Sequence, residues 1–196
     1  MYADVIKILD TRSYPGSHVL RTQAIKLKPL TVIVGGQGTG KSTLLSMLRK
    51  NDPGISVELT DRCRNIDTFY FNSELDNPRI TDPQTYSDVN GYSIGYGFAN
   101  AVAARFKSHG EVLEELVIDI IVDEPAVLIL DEPEAGLSIS NQIRFNKKIK
   151  TTTQVQYIIA THSYPIIMNN DVFSLDHWKW MPGSAYIKWC SEICNI

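Results

Sequence analysis

The chain has 196 residues, 43% apolar and 21% charged, with a formal net charge of −3 at pH 7. That length is enough to bury a sizeable core and suits one domain over 1–196, while the composition excludes a disordered or fibrous chain. The slight acidity excludes a polycation built to coat nucleic acid, and the longest apolar run, Ala126 to Leu130, is far short of the about 20 residues that span a bilayer, so no membrane insertion is expected.

In chain order, Val5, Ile6 and Ile8 form an alternating start. Pro15-Gly16 then reads as a hairpin turn leading into Val19-Leu20. Thr31 to Val34 is a β-branched run that predicts a buried strand. Thr43 to Lys50 has helical spacing and stops at the breaker Asn51-Asp52-Pro53-Gly54. Thr68 to Phe71 predicts another strand. The stretch from about 75 to 96, rich in Asp, Asn, Pro, Gly and Tyr, reads as irregular. Helices are expected at 98–107 and 108–122, and Ser140 to Thr151 reads as a polar helix. It lies between two strands, Ala126 to Leu130 and Gln156 to Ala160. Strands alternating with helices imply an α/β fold with a mainly parallel sheet covered by helices, plus an antiparallel β-subdomain from the N-terminus. Residues from about 170 to 196, with Trp178, Trp180 and Trp189, read as a C-terminal extension packed on the core.

The three cysteines are Cys63, Cys190 and Cys194. An odd number, with no apolar leader at the N-terminus, points to reduced thiols and a cytoplasmic location. Cys190 and Cys194 read as two thiols on one face of a terminal helix rather than half of a zinc site.

Gly35-Gly36-Gln37-Gly38-Thr39-Gly40-Lys41-Ser42-Thr43 fits GxxxxGK[ST] in full, after a strand and before a helix. Glycines let backbone N–H groups converge on phosphate oxygens, and the helix N-terminus adds a favourable field. Lys41 is placed to neutralise the β- and γ-phosphates, and the Ser42 hydroxyl to ligate Mg²⁺. A second acidic signal closes the strand Ala126 to Leu130. There, Asp131 suits a Mg²⁺ role and Glu132 suits polarising an attacking water. Ser108 and Glu111 form a capping box before an apolar run, so a helix should begin there. Its N-terminus, with Ser108 and Gly110, is either a phosphate-binding end or a simple cap.

VLILDEPEAGLS at 127–138, followed by Ile158-Ile159-Ala160-Thr161-His162-Ser163, closely resembles the ATP-binding cassette (ABC) ATPases. The wording LDEPE with ATHS is similar to the soluble RecF/SMC-like branch and to small AAA-family ATPases. The resemblance implies that Asp131 and Glu132 are the Walker B pair, that Glu134 to Ser138 form the D-loop at a dimer interface, and that His162 is the switch histidine sensing the γ-phosphate. It also implies that Ser108-His109-Gly110-Glu111 is a variant of the signature motif, binding the ATP of the opposite subunit. The Q-loop position falls to Asn72 or Glu74. Tyr14 or Arg12 is a stacking candidate for adenine, or an ordinary turn residue.

The implied reaction is Mg²⁺-dependent ATP hydrolysis, with Lys41, Glu132 and His162 as the catalytic set and a homodimer sandwiching ATP. No heptads occur between Ser42 and Ser108, so no coiled-coil arm is expected. The expected setting is DNA metabolism or phage–host conflict. The alternatives are the ATP-binding subunit of a membrane transporter, or a regulatory switch with little turnover. Arg144, Lys147, Lys148 and Lys150 read as a solvated helix face before they read as a nucleic-acid contact. The tryptophans read as core packing before they read as a partner surface.

Overall fold

A computed structural model of the chain describes residues 3–12, 14–59, 67–73 and 126–193. The expected helices at 98–107 and 108–122, the segment at 75–96, and Cys63, Glu74, Ser108, Gly110 and Cys194 lie outside the described residues.

Two sheets organise the rest. β1 (Ala3–Ile8) lies between β2 (Ala24–Lys26) and β4 (Ile55–Leu59) in an antiparallel sheet, with Ile6 opposite both Ile25 and Val57. The larger sheet has the order β5-β6-β7-β3-β8-β9, built from β3 (Leu30–Val34), β5 (Asp67–Asn72), β6 (Ala126–Asp131), β7 (Val155–Ala160), β8 (Asp171–Ser174) and β9 (Lys179–Pro182). Its pairings are parallel except β8 with β9. The helices are α1 (Lys41–Arg49), α2 (Ile139–Thr151), α3 (Tyr164–Met168) and α4 (Gly183–Ile193).

Alternation along the strands sorts their side chains between two cores. Val32, Leu128, Leu130, Tyr157 and Ile159 pack with Phe145 and Ile149 of α2, Ile166 of α3 and Tyr186 of α4. Ile33, Val127, Ile129 and Ile158 point the other way, onto Leu44, Leu45 and Met47 of α1 and the small sheet's Ile6 and Ile25. Gln156, 1% exposed, joins the two sheets. Its Oε1 accepts from Ala3 N at 2.7 Å and its Nε2 donates to Ala3 O at 2.8 Å. Both polar ends of a buried amide are thereby satisfied.

The structure differs from the sequence reading at three places. The Pro15-Gly16 turn does not return the chain as a strand, because Gly16, at φ +81°, opens a single 3₁₀ turn over Ser17–Val19. The buried Ser17 hydroxyl donates to Thr11 O and Tyr14 O and holds that turn curled, so the partner of β1 is β2. β4 is an added strand, where Ile55 and Val57 alternate with Ser56 and Glu58, and Glu58 pairs with Lys7 of β1. The stretch expected as a C-terminal extension supplies β8, which pairs with β3 and buries Val172 and Phe173.

The tryptophans pack inward. Trp178 and Trp180 meet Phe173 edge-on at 5.7 and 5.8 Å, and Trp189 meets His177 at 4.2 Å. The Cys190 thiol is free and lies against the α2–α4 core.

Candidate functional site

Register places the chemistry at one end of the large sheet. In β6-β7-β3-β8, Asp131 lies opposite Ala160, Ala160 opposite Ile33, and Val34 opposite Ser174. Four adjacent carboxyl ends thus deliver Asp131-Glu132, His162, the glycine loop and the β8–β9 turn to one edge. Ligands bind at such an edge in open α/β sheets.

The glycine loop spans β3 and α1. Gly35 cannot carry a Cβ, which would fall 2.3 Å from Thr39 Oγ1. Gly40 caps α1 at φ +91° without a side-chain bond, leaving the first amides of the helix free for an anion. Lys41 is buried, and its Nζ donates to Gly35 O at 2.9 Å and Gly36 O at 3.1 Å. Burial lowers its pKa, opposed by the negative charges of Glu132, Asp176, Asp131 and Glu134.

Asp131 is 1% exposed, with both oxygens engaged. The Ser42 hydroxyl donates to Oδ1 at 3.2 Å, and Asn72 Nδ2 donates to Oδ2 at 2.9 Å. Burial raises its pKa against those two bonds. A hydroxyl and a buried carboxylate side by side are hard oxygen donors. They fit Mg²⁺, which takes one or two protein ligands and fills the rest from phosphates and water. Among the described residues, no group of three or more His, Cys, Asp and Glu could hold a metal without such help.

Glu132 has φ +51°, an uncommon backbone for a residue with a side chain. Its N–H donates to Ala160 O at 2.9 Å, and its carbonyl accepts from Ala135 N at 3.0 Å. This twist turns its carboxylate out of the strand line toward His162, whose Nε2 is 3.8 Å away. Burial and the Lys41 charge push the pKa of His162 below its ordinary value, so the ring is neutral at pH 7. Glu134, 9% exposed, accepts from His162 N at 2.7 Å through Oε1, while its Oε2 is buried without a hydrogen-bond partner among the described residues. Burial raises the Glu134 pKa despite the favourable Thr161 and His162 contacts.

These groups border a cleft of about 400 Å³, lined by Gln37 to Ser42 of the loop apart from Thr39, by Thr43, and by Glu132 and His162. Gly16, His18 and Val19 also line it, which brings the curled 3₁₀ turn to the site. Tyr14 and Arg12 do not line it. Arg12 is tied to Asp10, and Tyr14 lies under Lys50. Of the sequence candidates, the loop, Asp131, Glu132 and His162 converge, and Asn72 joins them through Asp131. Two residues were missed. His18 had no signal, since nothing in its spacing ties it to the glycine loop. Asp176 had one, an acid just past the mostly apolar run Val172-Phe173-Ser174-Leu175, much as Asp131 follows Ala126 to Leu130.

Strand order, glycine loop and acidic strand end together have the fold of an ATP-binding cassette ATPase domain. The chain superposes on cbiO1 of Clostridium perfringens, part of the ABC transporter complex cbiONQ, with TM-score 0.60 and 19% identity over 100% of this chain and 94% of that one. It also superposes on a dimeric ATP-binding cassette in a post-hydrolysis state bound to ADP and Pi, with TM-score 0.52 and 15% identity, covering 80% of this chain and 85% of the other. In sequence it is similar to the zinc import ATP-binding protein ZnuC of Haemophilus ducreyi, 28% identical over 159 residues. That match covers 72% of this chain and spans 59% of the relative's length. No family model matches the chain.

Proposed function

We propose that this chain binds ATP in the cleft and hydrolyses it with Mg²⁺, acting as the ATP-binding subunit of a membrane transporter. The observation that carries the hydrolytic reading is the αL backbone of Glu132, which aims a carboxylate at His162 across the mouth of the glycine loop. Strain kept at a strand end beside a phosphate loop is a functional mark. Lys41 exchanges its Gly35 and Gly36 carbonyls for phosphate oxygens, and Glu132 accepts a proton from the attacking water. His162 sits at the γ-phosphate end, with its backbone held by Glu134. Ser42 and Asp131 would hold Mg²⁺, which would supply charge neutralisation at the phosphates. His18, which also lines the cleft, offers a ring to the base.

Similarity to ZnuC and to cbiO1 supports the transporter setting over DNA metabolism. No helix among the described residues is long and apolar enough to cross a membrane, so a permease partner would supply the spans. The RecF/SMC-like reading, with Ser108 to Glu111 as its signature, rests on LDEPE and on the Glu134–His162 bond that its second glutamate makes. Steady-state ATPase of the purified chain, with Lys41→Ala and Glu132→Gln as controls, tests the reaction. Stimulation by a co-purified permease supports the transporter setting, and stimulation by DNA replaces it with the second reading.

A further inference from the structure

We infer that Asp176 is a positioning residue that fastens the entry of the phosphate loop to the C-terminal helix and so sets nucleotide affinity. The inference rests on the nucleotide-binding reading above. Asp176 lies in the turn between β8 and β9, at the carboxyl end of the strand beside β3. Its carboxylate accepts from Gly36 N, at 3.3 Å to Oδ1 and 3.2 Å to Oδ2. Oδ2 also accepts from the Tyr186 hydroxyl at 3.1 Å. Tyr186 is 5% exposed and belongs to the core beneath α4. Burial, with the Asp176 charge next, pushes its hydroxyl well above the ordinary value, so it remains a donor at every physiological pH. The neighbouring residue of the turn is held as well, since His177 packs on Trp189 of α4, its backbone N–H donates to Ser174 Oγ at 3.2 Å, and its Nδ1 lies 3.0 Å from the same hydroxyl. The turn is therefore fixed by the last helix on one side and grips the loop on the other.

The Gly36 peptide is held from two directions. Its carbonyl accepts from Lys41 Nζ and from the Thr39 hydroxyl, and its N–H donates to Asp176. When Lys41 turns to a phosphate, its hold on Gly35 and Gly36 is lost. The Asp176 bond does not pass through Lys41 and remains. It then keeps the loop preorganised while the lysine is occupied. Asp176 also places a negative charge near Lys41, which opposes a polyanionic ligand. The residue thus has two effects of opposite sign, an anchor that favours binding and a charge that disfavours it.

Substitutions separate them. Asp176→Asn keeps an acceptor for Gly36 and removes the charge. Asp176→Ala removes both. Tyr186→Phe keeps the packed ring and cuts the link to α4. The measurement is the Kd for Mg-ATP by calorimetry, with thermal unfolding to confirm the fold and KM and kcat from steady-state turnover. Asp176→Ala should bind about three- to tenfold more weakly than Asp176→Asn, the worth of one net hydrogen bond, with a higher KM and the same kcat. Asp176→Asn should bind as tightly as the wild type or tighter. Tyr186→Phe should weaken binding by less, and add nothing in the Asp176→Ala background. If Asp176→Ala binds as tightly as Asp176→Asn, the anchor does not exist and the inference falls. Should Asp176→Ala not fold, Tyr186→Phe decides alone, and an unchanged Kd there overturns the link to α4. A wild-type chain that binds no nucleotide overturns the functional reading itself, a result these variants do not produce.

Discussion

Lys41 is a buried cation with the carboxylates of Glu132, Asp176, Asp131 and Glu134 around it, so acidic groups outnumber it at the site. Truncating one side of a desolvated charge contact costs about 2–5 kcal/mol, roughly 30-fold or more in affinity. Lys41→Ala should therefore lose ATP binding by calorimetry while circular dichroism stays native, because the loop is at the rim of the sheet. His162→Ala should keep ATP affinity and slow turnover, because its ring faces Glu132 while Glu134 holds only its backbone. An equal loss of affinity would place His162 in ground-state binding instead. Glu134 makes a pH prediction. Its pKa in the fold lies above its ordinary 4.5, so the native state holds the proton more tightly than the unfolded chain. Its contribution to stability is full below 4.5 and is lost as pH rises through the raised value. Asp131 acts in the same sense, and His162, shifted below 6.5, in the opposite one, losing stability as pH falls below 6.5. Glu134→Gln keeps an acceptor for His162 N and cannot ionise. The gap in unfolding midpoint between Glu134→Gln and the nucleotide-free wild type should widen in favour of the variant from pH 4.5 toward neutrality. A gap constant with pH would mean that Glu134 is not titrating in the fold.

At the scale of elements, the 3₁₀ turn and the Leu20 that closes it pack hard against the start of α1. A Cβ on Gly40 would lie 2.8 Å from both Val19 Cγ2 and Leu20 Cδ2, at a φ of +91°. Gly40→Ala should cost about 1–3 kcal/mol of stability, from left-handed strain and overpacking. It should weaken nucleotide binding too, since Val19 lines the cleft. Urea unfolding and calorimetry on the one variant check both effects. This contact also shows why part of the site was illegible. The glycine loop was readable because its spacing is local, with strand, glycines, lysine and helix contiguous in the chain. Asp131-Glu132 and His162 were readable because each ends a strongly apolar strand, and the family resemblance gave them roles. The turn at Ser17–Val19 was not, because what folds it is a buried serine bonding two carbonyls, a contact that no periodicity announces. Tyr14 and Arg12 were chosen for their chemistry. The fold turns Tyr14 beneath Lys50 and ties Arg12 to Asp10, leaving His18 at the wall. β4 was missed because Ile55 to Leu59 is five residues with only two polar positions to mark the alternation. β8 was missed because Val172 to Leu175 is short and follows a five-residue helix. Its place beside β3 is fixed by sheet pairing far along the chain.

At the scale of the whole molecule, the cleft is lined by the loop, by Glu132 and by the 3₁₀ turn, and it closes over neither the His162 ring nor the Glu132 carboxylate, 53% and 39% exposed. Catalysis gains from a site that excludes water, so something must cover the γ-phosphate end. The chain following that end exposes large side chains, Ile139 at 69% and Tyr164 at 58%, each starting a helix that follows Glu132 or His162 in sequence. If the Ser108 segment opens a helix as its capping box predicts, a second copy bringing it would cover the phosphate, supply backbone N–H groups to it, and bury those side chains, all twice over by symmetry. ATP bound between two copies then links them by mass action, and hydrolysis releases them. Glu132→Gln keeps the shape of the site and removes the base, so its Mg-ATP dimer should persist, while the wild type should return to monomer as ATP is consumed. Ser108→Arg adds bulk at the covering end, distant in sequence from the loop that holds ATP. It should abolish the dimer and leave the Kd of the monomer unchanged. Light scattering of Glu132→Gln with Mg-ATP, alone and combined with Ser108→Arg, reads both effects. A dimer in the first and a monomer in the second supports the sandwich. A monomer in both, with ATP bound by calorimetry, would rule it out and leave a single-chain ATP switch; a dimer in both would move the interface away from Ser108.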